Sequence, residues 1–135
     1  MTAFEQFLAV AILPKQVQSL SPTALAYVGD AVYELYIRTQ FLWPPQRLQR
    51  YHSAVVSQVR AEQQADYLAQ LSPQLTAAEQ EMVRRGRNAA PRRQRRVSAD
   101  VYQQATSFEA LVGYLYLTNQ PRLLELLSLL ALKTD

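Results

Sequence analysis

Leu25-Ala26-Tyr27-Val28-Gly29-Asp30-Ala31-Val32-Tyr33-Glu34-Leu35, wound as a helix, is apolar along two sides. One stripe is Leu25, Val28, Val32 and Leu35; the other passes through Ala26, Tyr33, Ile37 and Phe41, with Asp30 in its middle. A helix apolar on both sides is expected to be buried on both, which puts Asp30 where a lone carboxylate is costly. Glu34 follows one turn later, and like charges at that spacing repel mildly. An acid so placed needs a partner, and a cation would serve. Taken alone, Asp30 also fits a solvated acid or one that hydrogen-bonds within its own helix.

Outward from this stretch the punctuation is helical. Ser21-Pro22 is a helix start, serine capping and proline fitting the first helical position, and Pro44-Pro45 stops the helix after about Leu42. A second helix is expected from about Gln46 to Leu71, ending before Ser72-Pro73. Thr76 and Glu79 form a capping box for a third, reaching about Arg85, with Gly86 as its terminator. Ser98 caps a fourth that runs to about Thr118, and Pro121 opens a short last one. With three glycines in 135 residues and no Asn-Gly or Asp-Gly hairpin signal, the expectation is an all-α helical bundle forming one domain over 1–135, with no room after residue 120 for a second module.

The fourth helix repeats the theme of the first. Val101, Ala105, Phe108, Val112 and Leu115 make its core stripe, and Glu109 lies at the edge beside Ala105 and Tyr116. Gly113 follows one turn beyond, mid-helix, where glycine costs about 1 kcal/mol relative to alanine. Close approach of another helix would explain it. If that helix is the first, Asp30 and Glu109 converge on one hard cation. Tyr27, Tyr33, Tyr36, Tyr114 and Tyr116 fall at helical spacing and are expected in the core; the lone His52 is assigned no role.

The net charge of +3 conceals a strong asymmetry. Arg84, Arg85, Arg87, Arg92, Arg93, Arg95 and Arg96 fall within 13 positions that contain no acid. With those seven set aside, 7 basic and 11 acidic side chains remain, a net of −4. An acidic body carrying one intensely basic loop, at about 84–97 and interrupted by Pro91, points to a polyanionic partner. No apolar run approaches the roughly 20 residues of a membrane span. Met1 to Leu13 carries Glu5 and no basic start, which makes a poor signal peptide, and there is no cysteine. The expectation is a cytoplasmic protein without a membrane partner.

Leu25 to Val32 resembles the signature helix of the ribonuclease III family, E-R-L-E-F-L-G-D-A/S-V, and Thr106 to Gly113 resembles its second motif, D-x-x-E-A-L-I-G. The likeness to the Mini-ribonuclease III branch is closer. That branch has A-Y-x-G-D-A-V-Y-E (Ala26 to Glu34 here), R-R-G-R-N (Arg84 to Asn88) and F-E-A-L-x-G-Y-L-Y-L (Phe108 to Leu117), and it lacks a carboxy-terminal double-stranded-RNA-binding domain. Asp30 matches the signature aspartate and Glu109 the second-motif glutamate, both metal ligands in the family. Two further family acids are absent, with Ala26 and Thr106 in their places; Glu34 is an open candidate for the ligand set.

The resemblance implies a ribonuclease III-like endonuclease domain, paired about a two-fold axis into a homodimer, which cuts double-stranded RNA to leave 5′-phosphate and 3′-hydroxyl ends. It implies Mg2+ as cofactor, with Mn2+ able to substitute, and precursor large-subunit (23S) ribosomal RNA as substrate. RNA contacts are expected from Arg84, Arg85, Arg87, Asn88, Arg92, Arg93, Arg95 and Arg96, the first three arginines also pairing with the acidic body. The alternative is an inactive RNA-binding or ribosome-assembly factor of the same fold, against which retention of Asp30 and Glu109 argues.

Overall fold

The computed structural model describes residues 12–90 and 98–132, and every regular element among them is helical. In chain order these are α1 (Pro14–Gln18), α2 (Pro22–Gln40), α3 (Leu48–Val59), α4 (Ala61–Leu71), a 3-10 turn (Ser72–Gln74), α5 (Ala77–Ala89), α6 (Ala99–Thr118) and α7 (Gln120–Ser128).

The capping residues legible in the sequence set most of the starts. The Ser21 hydroxyl accepts from the Ala24 N–H at 3.1 Å, and Ser98 accepts from Val101 at 3.1 Å. The Thr76–Glu79 box is complete, the hydroxyl accepting from the Glu79 N–H at 3.2 Å and the carboxylate from the Thr76 N–H at 2.9 Å. At α7 the Asn119 side chain accepts from the Arg122 N–H at 3.2 Å.

Two boundaries depart from the sequence reading, and both matter for the site. The expected helix from Gln46 to Leu71 is two helices, α3 and α4, parted at Arg60, whose backbone is extended (φ −70°, ψ 157°). No proline or glycine breaks it. Side chains instead collect the carbonyls freed at the end of α3: the Tyr33 hydroxyl donates to the Gln58 carbonyl at 2.9 Å, and the Gln64 amide donates to the Val59 carbonyl at 2.9 Å.

The second departure is Gly86, which does not terminate a helix. It lies buried inside α5, where an added Cβ would stand 3.0 Å from the Ser107 Cα and 3.1 Å from the Ala110 Cβ. Glycine serves here to let α5 approach α6. The helix therefore runs on past Arg84 and Arg85 to carry Arg87 and Asn88, where the sequence reading expected a loop, while Arg92, Arg93, Arg95 and Arg96 lie outside the described residues.

α6 is the axis of the bundle. It packs most extensively on α2, then on α5 and α4, and also meets α7 and α1. Its near-continuous burial, from Ala105 through Leu115 with Glu109 and Tyr114 only half-covered, is that of a helix surrounded by others. The main core gathers Tyr33, Ile37, Tyr67, Phe108, Leu111 and Leu126, with the Tyr33 and Phe108 rings edge to face at 5.0 Å and 88°. A smaller core joins Val17, Leu25, Ala26, Met82 and Ala110. Arg122 ties α7 to the start of α5, donating to the Glu79 carboxylate at 2.9 and 3.0 Å and to the Gln74 carbonyl at 2.8 Å.

The expected two-sided burial of α2 is only partly realised. Leu25, Ala26, Tyr33 and Ile37 are buried and Val28 and Val32 half-buried, but Leu35 is 56% exposed and Tyr27 84% exposed. Asp30, expected in a buried stripe, is exposed. Among the described residues no helix is long and apolar enough to cross a membrane.

Candidate active site

α2 and α6 cross glycine against glycine. A Cβ on Gly29 would overlap the Glu109 carbonyl and lie 2.8 Å from the Gly113 nitrogen; a Cβ on Gly113 would overlap the Leu25 carbonyl and lie 3.1 Å from the Gly29 nitrogen. The two backbones are in contact, so no side chain fits at either position. This is the close approach that the mid-helix glycine implied, and it is made by the expected helix. Asp30 follows Gly29 and Glu109 precedes Gly113 by one turn, so the crossing that removes two side chains brings two carboxyls together.

The two carboxyl groups are hydrogen-bonded to one another. Asp30 stands on the open side and Glu109 deeper, half-buried. Burial first, then the hydrogen bond and negative charge of Asp30, raise the Glu109 carboxyl from the ordinary range to about 8, while the Gln64 amide pulls it back down. At neutral pH without a cation Glu109 therefore keeps its proton beside Asp30.

A pair of oxygen donors sharing a proton is chemically suited to a hard divalent cation, which would displace the proton and cancel the repulsion. Asp30 is open to solvent, so water can complete the coordination. Among the described residues no group of three or more His, Cys, Asp or Glu side chains that could hold a metal gathers around the pair. Glu34, a candidate third ligand in the sequence, stands outside the pair; its carboxylate accepts from Arg38 at 3.2 Å.

The basic residues that the structure describes are partly engaged with the acidic body. Arg84 makes two hydrogen bonds to Glu81, at 2.9 and 2.5 Å, and Arg87 reaches across to Asp100 at 2.9 Å. Arg85 is half-buried and Asn88 exposed. Of the tyrosines, Tyr33 is fully buried, Tyr36, Tyr114 and Tyr116 half-buried, and Tyr27 stands in solvent against expectation.

Sequence reasoning missed Gln64. It is 2% exposed, and from α4 its amide stands beside Glu109, pulling that carboxyl back toward the ordinary range. The available signal was its position: Gln64, Leu68 and Leu71 share one stripe at helical spacing, and the latter two are core. An amide on a core stripe needs an internal partner.

A family model described as Ribonuclease III domain matches residues 23–120. The chain is 59% identical over 116 residues to a protein of Synechocystis sp. named Mini-ribonuclease 3, covering 86% of this chain and 81% of that one. It is 58% identical over 112 residues to a Mini-ribonuclease 3 of Thermosynechococcus vestitus, covering 83% and 74%. Among solved structures, the crystal structure of a Fusobacterium nucleatum protein superposes with a TM-score of 0.75 at 25% identity, over 80% of this chain and 90% of that one.

Proposed function

The chain belongs to the ribonuclease III domain family, and from that premise we propose that it is a magnesium-dependent endoribonuclease that cuts double-stranded RNA at the Asp30–Glu109 pair. The observation that carries this reading is the pair itself: two carboxyls forced together at a glycine crossing, with no basic side chain among the hydrogen-bond partners found for Glu109.

Asp30 and Glu109 would hold Mg2+, with Mn2+ as a substitute. A divalent cation supplies a nucleophile at neutral pH and neutralises charge at the scissile phosphate. The carboxyls do the rest: Glu109 gives up its shared proton when the ion is taken, and Asp30, on the open side, faces the phosphodiester. Water adds to phosphorus and the bond to the 3′ oxygen breaks, leaving a 5′-phosphate and a 3′-hydroxyl. Arg85, Asn88 and the outer arginines Arg92, Arg93, Arg95 and Arg96 would grip phosphates through sequence-independent contacts, while Arg84 and Arg87 are partly spent on Glu81 and Asp100.

The working unit would be a two-fold homodimer. Beside α2 an apolar groove of about 460 Å3, lined by Val32, Leu35, Tyr36, Tyr116, Leu123 and Leu124, leaves uncovered the side of the helix whose sequence asked for burial. Precursor large-subunit ribosomal RNA is the natural substrate on this reading, and the cytoplasm the place where it acts.

Incubating the purified protein with long double-stranded RNA, with and without Mg2+, tests the proposal. Metal-dependent double-strand cleavage is expected from the native protein and none from Asp30→Asn. Tight, salt-sensitive RNA binding without cleavage in any divalent ion would establish instead the inactive RNA-binding factor.

A further inference from the structure

The Gln64 amide stands at a junction of three elements. It sits in the first turn of α4, just past the break at Arg60, and its side chain is 2% exposed. Its nitrogen donates to the Val59 carbonyl at 2.9 Å, which takes one of its two hydrogens. The Val59 oxygen can only accept, so turning the amide end for end would set its oxygen against that carbonyl. The donor end is thereby fixed in place, beside the Glu109 carboxyl on α6, whose upward shift it opposes.

The break that presents this amide is itself held from several sides. The Gln63 and Gln64 N–H groups donate to the Arg60 carbonyl at 3.1 and 3.0 Å. Tyr33, on the same helix as Asp30, donates to the Gln58 carbonyl at 2.9 Å, and the Tyr67 hydroxyl donates to the Gln58 side chain. Had α3 run straight into α4, Val59 would bond within the helix and would not anchor the amide. A site with only two carboxylates cannot rely on a crowd of ligands to set its geometry, so each must be aimed.

We propose that Gln64 is a positioning residue that aims the Glu109 carboxylate at the cation, and that the Arg60 break between α3 and α4 exists to present it. This rests on the metal-binding reading of the Asp30–Glu109 pair. Groups one step behind a metal ligand commonly contribute about ten- to a hundred-fold in metal affinity or activity.

The test is direct Mn2+ binding by calorimetry, together with cleavage measured against Mn2+ concentration, on native protein, Gln64→Met, Gln64→Asn and Asp30→Asn. Gln64→Met, close in volume but unable to donate, should weaken Mn2+ binding about ten- to a hundred-fold. Its half-saturating Mn2+ should rise in step, with most of the rate recovered at saturating metal. A residue needed only to close the helix break would change thermal stability and leave Mn2+ affinity alone. Gln64→Asn keeps an amide but withdraws it by one methylene; it should shift affinity the same way by less, and it decides the matter if Gln64→Met does not fold. Native Mn2+ affinity in a folded Gln64 variant, when Asp30→Asn binds none, would overturn the positioning role and leave the site standing. Equal Mn2+ binding by native protein and Asp30→Asn would overturn the site reading, and the positioning role with it.

Discussion

Glu79 and Glu109 are two acids set against the interior of one small bundle, and the structure treats them oppositely. Glu79 is 4% exposed, caps its own helix and receives two hydrogen bonds from the Arg122 guanidinium, which hold its carboxyl below the ordinary range. Glu109 faces another acid, with one neutral amide to steady it, and its carboxyl is pushed up. The first arrangement satisfies a charge for the sake of the fold. The second withholds satisfaction, and the unmet demand is what a cation can answer. The contrast separates a stabilising acid from the proposed metal ligand by the sign of the displacement, since neither stands free in solvent.

The sharpest way to break this contrast is to remove each acid's charge. Asp30→Asn and Glu109→Gln should each lower cleavage by more than the roughly hundred-fold expected for losing a group that merely supports a ligand, measured as single-turnover rates on a long duplex. The same substitutions should leave metal-free stability unchanged or higher above about pH 8, where Glu109 is charged beside Asp30 and the substitutions relieve the repulsion. Lower melting temperatures in both variants would show the pair to be structural.

Arg122→Ala should do the reverse. Stripping the guanidinium leaves Glu79 buried without its counter-charge, which typically costs about 3 kcal/mol or more, read as a loss of denaturant midpoint at unchanged slope. The dependence of cleavage on Mg2+ concentration should not move at temperatures where the variant is folded.

A smaller effect, and one that displays both signs in a single molecule, is the response to pH in chelator. Glu79 has a folded pKa below its ordinary value of 4.5, so its contribution is fully present above that value and is lost as acid drives the pH down through the depressed one. Glu109 has a raised folded pKa, so its contribution is fully present below 4.5 and is lost as pH rises through about 8. Melting temperature should fall toward both ends, Glu79→Gln flattening the acid limb and Glu109→Gln the alkaline one. Saturating Mg2+ should also flatten the alkaline limb. The smallest effect belongs to the exposed Arg38–Glu34 pair: Arg38→Ala should change stability by less than about 0.5 kcal/mol in the same denaturant assay.

Local chemistry made much of this legible beforehand. Ser21, Thr76 with Glu79, and Ser98 announce helix starts because a cap is a contact within three residues, and all three perform it. Gly113 announced a helix crossing, and Glu109 beside it the second carboxyl. What escaped was decided by distant partners. Gly86 and Gly113 are the same letter inside helices, yet one was read as a stop. Its place on the Met82, Gly86, Ala90 row, all buried, was the clue that it faces a neighbour. The break at Arg60 has no local cause at all: Tyr33 and Gln64 make it tolerable by meeting the freed carbonyls, and one of those donors comes from another helix.

The glycine pair at the crossing also constrains how this protein can change over generations. Gly29 and Gly113 are required by backbone contact, whether or not any chemistry takes place above them. A lineage that stopped cutting RNA would keep both, because losing either disrupts the bundle. Relaxed selection would register instead at positions 30 and 109, and at Gln64 and the phosphate-gripping arginines that serve them. The glycine pair would then mark membership of the fold, and the two acids whether a member still works.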